Sequence, residues 1–151
     1  MSKTLWGNAT WFMMHTLAQK LKPEYSSSAH VIVRQFENIC RNLPCPDCAQ
    51  HASQMFATAN LGAVVDKESL IKFLFEFHNI INNRLGKQQL TLEQCQEKYT
   101  NGHTIPILQH FFAVLRSLRS HDRAMVHGFR RQQCIQQFAT FIDHNMHFFY
   151  A

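Results

Sequence analysis

The segment Leu43-Pro44-Cys45-Pro46-Asp47-Cys48 decides how the rest of the sequence is divided into elements. Its two prolines interrupt a chain in which apolar residues otherwise recur every three or four positions, the spacing of amphipathic helices. Pro46 suits the first position of a helix, because the first turn leaves its amide hydrogens unbonded and proline has none to lose. The segment therefore predicts that one helix ends before it and that another begins at Pro46.

The same spacing predicts helices on both sides of this segment. The chain of 151 residues contains four prolines and five glycines, and no alternating run long enough for a strand. Serines before residue 29 and glycines at 62 and 86 supply start and stop signals. The predicted helices cover residues 4–21, 27–41, 46–59, 67–85 and 92–99, followed by 107–119 and 132–148 around Gly128. We expect an all-α four-helix bundle with a short fifth helix and a further helical extension.

The composition excludes several classes of protein. A hydrophobic content of 46% in 151 residues is sufficient for the core of one domain. The 15 lysines and arginines against 10 acidic residues give a mild basic bias that does not indicate nucleic-acid binding. No run approaches the roughly 20 apolar residues of a membrane helix, and the first residues lack the pattern of a signal peptide. We expect no membrane insertion, no targeting signal and a cytoplasmic protein.

Cys45 and Cys48 form a CxxC pair at a predicted helix start, which can close a small and easily exchanged disulfide. With Cys45 as the N-cap, Cys48 lies in the first turn, where free amides and the helix dipole favour a thiolate. The alternative is a zinc site formed by Cys45, Cys48, His51 and His78, although no second cysteine pair follows. The other cysteines, at 40, 95 and 134, are solitary, which argues against a secreted disulfide scaffold.

A second motif is Trp6-Gly7-Asn8-Ala9-Thr10-Trp11 with His15. Gly7, Trp11 and His15 fall at i, i+4 and i+8 and therefore share one face of a helix. This stripe suits a flat heteroaromatic ligand, because glycine allows close approach, tryptophan offers a stacking surface and histidine a hydrogen bond. The alternative is that the tryptophans are core residues and that His15 is a buried histidine with protein partners.

A third motif crowds polar side chains into the end of the fourth predicted helix. His78 and Asn82 lie four residues apart on one face, with Asn79 and Asn83 beside them. Buried amides carry a desolvation cost unless they find partners. A polar ligand would supply those partners.

Four motifs resemble, in order and spacing, those of the ERV/ALR family of FAD-linked sulfhydryl oxidases. They are WGxxxW with His15, the CPDC pair, HNxxNxxLxK and Glu97-Lys98-Tyr99. The likeness covers roughly residues 4–100. It implies a cone-like bundle that holds FAD with its isoalloxazine near the CxxC pair. It also implies stacking of Tyr99 on adenine and places Lys87, with Arg84 as the alternative, near the diphosphate. The implied FAD contacts are Trp6, Gly7, Trp11, His15, His51, His78, Asn79, Ile81, Asn82, Leu85, Lys87 and Tyr99.

The resemblance also implies a reaction. A substrate thiolate attacks Cys45, a second substrate thiol resolves the mixed disulfide, and Cys48 passes two electrons to FAD. Reduced FAD then converts dioxygen to hydrogen peroxide. The implied enzyme is a thiol oxidase that forms disulfide bonds in a thioredoxin-like or other dithiol protein, without a catalytic metal, and that pairs as a homodimer.

The sequence departs from the family pattern in two places. Phe75 stands where many cellular members have a cysteine of a structural disulfide, which leaves Cys95 unpaired there. A second CxxC or CxC shuttle is also missing, so substrate is expected to meet Cys45 directly, with Cys134 or Cys40 as an alternative relay. These features resemble the short members encoded by large DNA viruses, for which the host cytoplasm or the virion would be the location.

The likeness divides the chain into an oxidase domain, residues 1–102, and an extension, residues 103–151, of unknown role. The extension is too apolar for a disordered tail, and we expect it to pack on the core or at a dimer interface. Its histidines allow a metal-binding or pH-sensing role; they include His121, His127, His144 and His147. Its arginines allow a basic adaptor as an alternative function; they are Arg116, Arg119, Arg123, Arg130 and Arg131.

Overall fold

Seven α-helices form the parts of the chain that the structure, a computed structural model, describes: residues 3–118 and 125–151. They are α1 Lys3–Lys20, α2 Ala29–Arg41, α3 Pro46–Thr58, α4 Lys67–Arg84, α5 Leu92–Thr100, α6 Thr104–Ser117 and α7 Met125–Asn145. Short 3₁₀ turns cover Pro23–Ser28, Leu61–Ala63 and Met146–Phe148. The described residues contain no β-strand, only an isolated bridge between Leu21 and Phe149. The all-α prediction is confirmed.

Local hydrogen bonds explain where the predicted helices begin and end. Asp66 starts α4 with a capping box, in which the Ser69 amide donates to the Asp66 carboxylate over 2.8 Å. At the other end, Gly86 has a φ of 70°, and the Lys87 amide donates to the Asn82 carbonyl over 2.8 Å. These features form a Schellman motif, in which the residue after the helix adopts a left-handed backbone conformation that glycine tolerates best. The predicted ends of the first five helices lie within two residues of those observed.

The last two helices differ from the prediction. The helix α6 begins at Thr104 rather than at residue 107, and α7 begins at Met125 rather than at 132. Gly128 lies inside α7 and is buried. A glycine inside a helix costs about 1 kcal/mol, whereas α7 buries Cys134, Ile135 and Phe138. The packing of that face outweighs the local helix-breaking signal.

The helix α1 lies at the centre of the molecule, in contact with α4, α5 and α6, and α2 contacts α3, α4 and α7. Side chains of α6 and α7, such as Phe111 and Phe138, belong to the same hydrophobic core as those of α1 and α2. The end of the chain returns to α1, where the Tyr150 amide donates to the Lys20 carbonyl over 2.8 Å. Across the described residues, no helix has the length and apolar character needed to cross a membrane.

Candidate redox site

The CxxC pair lies at the start of α3, as predicted. Cys45 is the N-cap, and its sulfur accepts a hydrogen bond from the Cys48 amide over 3.3 Å. Pro46 is the first helical residue. Both thiols are free and half-buried. The pair is therefore accessible at one edge while its backbone is held by the helix start.

The ionisation of Cys48 differs from the sequence expectation. Burial raises the pKa of the Cys48 thiol, and a hydrogen bond with Cys45 raises it further. The ammonium of Lys3 opposes both effects. The thiolate expected from the helix position is therefore not favoured while both cysteines are reduced, because desolvation outweighs the neighbouring positive charge.

A stripe along α1 connects the cysteines to the predicted ligand-binding residues. Lys3, Gly7, Trp11 and His15 follow one another at intervals of four, so the stripe is about 18 Å long at roughly 1.5 Å per residue. Gly7 is half-buried, and a Cβ atom added to it would meet nothing within 4 Å. The stripe therefore borders open space one turn from Lys3. Sequence reasoning missed Lys3, although its position four residues before Gly7 was the available signal.

The far end of the stripe enters a cluster of stacked rings that joins α1, α4 and α5. His15 Nε2 lies 2.9 Å from His78 Nδ1, and both rings are buried. Trp11 stacks on His78 with ring centres 3.8 Å apart, and Tyr99 stacks on His15 at 4.3 Å. Cys95 Sγ lies 3.6 Å from His15 Nδ1. Both ring nitrogens of His15 thus have protein neighbours, as the core interpretation of this residue expected.

Both histidines are held in the neutral form. Burial, His78 and Lys98 lower the pKa of His15 to about 3. Burial, Lys98 and Lys87 lower the pKa of His78 to about 4. At neutral pH each imidazole therefore has one donating and one accepting nitrogen, the form suited to hydrogen bonds within a ring cluster or with a ligand edge.

These lowered values predict that acid destabilises the fold. In the unfolded chain each imidazole binds a proton near pH 6.5, whereas the folded chain resists protonation down to about pH 4 for His78 and about pH 3 for His15. The unfolded state therefore holds more protons as the pH falls below 6.5. We expect the free energy of unfolding to fall by about 1 to 2 kcal/mol per histidine between pH 7.5 and 5.0.

Urea titrations at the two pH values measure this loss, and the paired variant His15→Gln/His78→Gln provides the control. The control should show a smaller loss on acidification, since its two amides do not titrate. An equal loss in both proteins would contradict the assignment to these histidines.

The predicted residues at the end of α4 are divided between the interior and the surface. Asn82 is buried and Ile81 is half-buried, whereas Leu85 and Lys87 are exposed. The side chain of Asn79 donates through Nδ2 to the Leu90 carbonyl over 2.7 Å and accepts at Oδ1 from the Leu90 backbone amide over 2.9 Å. The sequence predicted that a ligand would bind Asn79. In the structure its partner is instead the backbone that leads into α5.

The part of the sequence that forms this site matches one known family. The model of the Erv1 / Alr family matches residues 8–100, which is more than half of the chain. The chain belongs to the Erv1 / Alr family. The part of the chain that the family model matches contains the CxxC pair, the ring cluster and the polar end of α4.

Three relatives show how far the likeness extends. A putative FAD-linked sulfhydryl oxidase of Invertebrate iridescent virus 3 is 36% identical over 97 residues, which cover 63% of this chain and 66% of that protein. The FAD-linked sulfhydryl oxidase ERV1 of rice is 30% identical over 54% of this chain and 42% of its own length. The African swine fever virus FAD-linked sulfhydryl oxidase is 27% identical over 62% and 79%. The matched part of the chain thus spans less than two thirds of the length of the first two relatives. No solved structure matches it.

Two other predicted contacts of the Erv1 / Alr pattern lie in the interior. Trp6 is 7% exposed and belongs to the hydrophobic core, and Tyr99 is 1% exposed. The ring of Tyr99 packs on His15 and edge-on against Phe12. An adenine stacked on Tyr99 would have to displace one of these neighbours, and the predicted stacking remains a prediction.

The zinc interpretation receives no support. His51 lies one turn after Cys48 and contacts the Arg84 side chain, with His51 Nε2 2.8 Å from the guanidinium nitrogen, whereas His78 contacts His15. Within residues 3–118 and 125–151, no three histidine, cysteine or acidic side chains form a group able to hold a metal. Burial and Arg84 lower the pKa of His51.

The adaptor interpretation loses one residue that it needs. Arg131 is buried at 4% exposure, whereas Arg116, which lies over the Phe112 ring at 4.9 Å, and Arg130 are exposed. Arg119, Arg123 and His121 lie outside the described residues. Among the other histidines of the extension, His144 is exposed, His147 packs against Tyr25, and His127 contacts the loop before Cys45.

Proposed function

We propose that the chain is an FAD-dependent thiol oxidase that forms disulfide bonds in protein dithiols and reduces dioxygen to hydrogen peroxide. The observation that carries the proposal is the CxxC pair at the start of α3, with the Lys3–Gly7–Trp11–His15 stripe leading from Cys48 to the ring cluster. The relatives named as FAD-linked sulfhydryl oxidases support it. The likeness to viral members accords with the departures in the sequence.

The residues along this stripe fit FAD. Open space in front of Gly7 suits a ring that approaches the backbone. The Trp11 ring offers an aromatic surface, and the neutral imidazole of His78 has a second ring nitrogen, Nε2, besides the Nδ1 that faces His15. When bound, FAD accepts two electrons from a dithiol and can pass them to dioxygen. Further contacts follow the family pattern: Trp6, His51, Asn79, Ile81, Asn82, Leu85, Lys87 and Tyr99, with Lys87 or Arg84 at the diphosphate.

The thiol exchange depends on the chain's own cysteines. A substrate thiolate attacks the sulfur of Cys45 in a Cys45–Cys48 disulfide, and Cys48 leaves as a thiolate beside Lys3. The second substrate thiolate then attacks the substrate sulfur of the mixed disulfide and releases Cys45. The substrate loses two electrons and two protons, and the CxxC pair becomes a dithiol. The Cys48 amide, which points at Cys45, stabilises the sulfur that leaves in this second step.

The partners and the location follow from the same resemblance. We propose a thioredoxin-like or other dithiol protein as the substrate, a homodimer as the assembly and the cytoplasm as the location, in host cytoplasm or virion if the chain is viral. The half-buried position of Cys45 and Cys48 supports a substrate that presents its thiols on a protruding segment.

The first experiment records the visible spectrum of the purified chain and its oxygen uptake with dithiothreitol. We expect flavin absorbance, after loading with FAD if necessary, and an uptake that produces hydrogen peroxide. A colourless chain that cannot be loaded would contradict the proposal. Metal analysis of the same sample would then test the zinc interpretation.

A further inference from the structure

The C-terminal extension reaches the loop that carries the CxxC pair. His127, in the first turn of α7, lies outside the segment that the family model matches. Its Nε2 lies 2.5 Å from the carbonyl oxygen of Leu43, two residues before Cys45. Because a carbonyl oxygen only accepts, the Nε2–H of His127 is the donor.

This hydrogen bond spans a much longer stretch of sequence than the hydrogen bonds at the two ends of the loop. The side-chain amide of Asn42 donates to the Asn38 carbonyl over 2.7 Å at the end of α2, and the backbone amide of Cys48 donates to the Cys45 sulfur at the start of α3. Both are local contacts between neighbours in sequence. The hydrogen bond from His127 joins the loop to an element 84 residues away.

Contacts with α2 hold the helix α7, which carries His127. The helix packs along α2, where the Asn38 amide donates to the Gln137 side chain over 3.2 Å. Cys134 and Phe138 are buried in the shared core, and Cys40 of α2 is buried beside Cys134. Because α2 leads directly into the loop, α7 spans both the helix before the loop and the loop itself.

We propose that His127 is a positioning residue for the thiol exchange, and that its hydrogen bond to the Leu43 carbonyl holds Cys45 at the N-cap of α3. This inference rests on the proposed function for its role in the reaction. Amides and the positive dipole at a helix start stabilise negative charge on a sulfur placed there, and at the N-cap the Cys45 sulfur accepts a hydrogen bond from the Cys48 amide. Without the hydrogen bond from His127 the loop leaves this position more often, and Cys45 reacts more slowly.

The test compares two substitutions that differ in the donor they keep. In His127→Gln the amide preserves an N–H donor, whereas in His127→Leu the side chain has similar bulk and no donor. His144→Ala, at an exposed position in the last turn of α7, is the matched control. The full-length reduced chains are alkylated with iodoacetamide at pH 7 without oxygen, and mass spectrometry of the peptides measures each cysteine separately.

We expect the alkylation rate of Cys45 to fall about three- to tenfold in His127→Leu, the range for one lost hydrogen bond. In His127→Gln and His144→Ala it should stay within about twofold of the original chain. The rates at Cys40 and Cys134 show whether a variant has simply become less stable, because unfolding exposes these buried thiols and raises their rates. If His127→Leu does not fold, His127→Asn, with its shorter amide, replaces it.

An unchanged or faster reaction of Cys45 in His127→Leu would overturn the proposal, as would an equal fall in His127→Gln. The alkylation requires neither FAD nor dioxygen. A fall confined to Cys45 in a chain without oxidase activity would therefore reject the proposed function while retaining the positioning role of His127.

Discussion

Thiol oxidation is expected to fall by on the order of a thousandfold or more when either Cys45 or Cys48 is replaced by alanine, while the flavin stays bound. In the proposed reaction the substrate attacks the sulfur of Cys45, and Cys48 is the group that leaves. Either substitution therefore removes the disulfide through which electrons would enter. The rest of α3 is expected to remain folded, because Pro46 and the helix beyond it are unchanged. Oxygen uptake with dithiothreitol measures the activity, and visible absorbance measures the flavin.

The control for this experiment is Cys134→Ala. Cys134 is buried in α7 beside Cys40, and burial raises its pKa to about 12, which disfavours the reactive thiolate. We expect its loss to change the uptake by less than about twofold, since thiolates and not thiols carry out exchange. A large loss in Cys134→Ala would support the relay alternative, and oxidation that persists in Cys45→Ala would contradict the assigned role of the pair.

The second large effect is expected from His15→Ala. This substitution removes the hydrogen bond to His78, the stacking surface for Tyr99 and the contact with Cys95. It also leaves a cavity where three helices meet. We expect the free energy of unfolding to fall by about 2 to 4 kcal/mol, as for other large buried side chains, and the flavin content to fall with it. Urea unfolding and the ratio of flavin to protein absorbance measure the two effects.

A matched histidine distinguishes the two roles of this residue. His110 lies on the exposed face of α6, and we expect His110→Ala to change neither stability nor flavin content. If His15→Ala is destabilised but retains stoichiometric flavin, His15 is a core histidine with protein partners and no cofactor contact. If it loses flavin under conditions in which the apoprotein stays folded, His15 belongs to the binding site.

Much of the fold was predictable because its signals are local. The prolines at 44 and 46 separate α2 from α3, and Gly86 ends α4. The capping residues Asp66 and Thr91 lie within three residues of the amides that they bind. Such contacts depend only on neighbours in the chain, and helix propensity and capping chemistry describe them fully. The start of α7 was missed because burial of its Cys134 and Phe138 face outweighed the local signal of Gly128.

The sequence by itself determined the helical class, the first five helices and the residue types of the redox site, because periodicity, caps and the CxxC spacing are properties of adjacent residues. Only the tertiary structure decided which of these residues meet. Four contacts depend on how the helices cross. They are the stack of Trp11 on His78, the hydrogen bonds between Asn79 and the Leu90 backbone, the proximity of Lys3 to Cys48 and the hydrogen bond from His127 to Leu43. Those crossings arise from the packing of a shared core across distant segments, which no local pattern encodes.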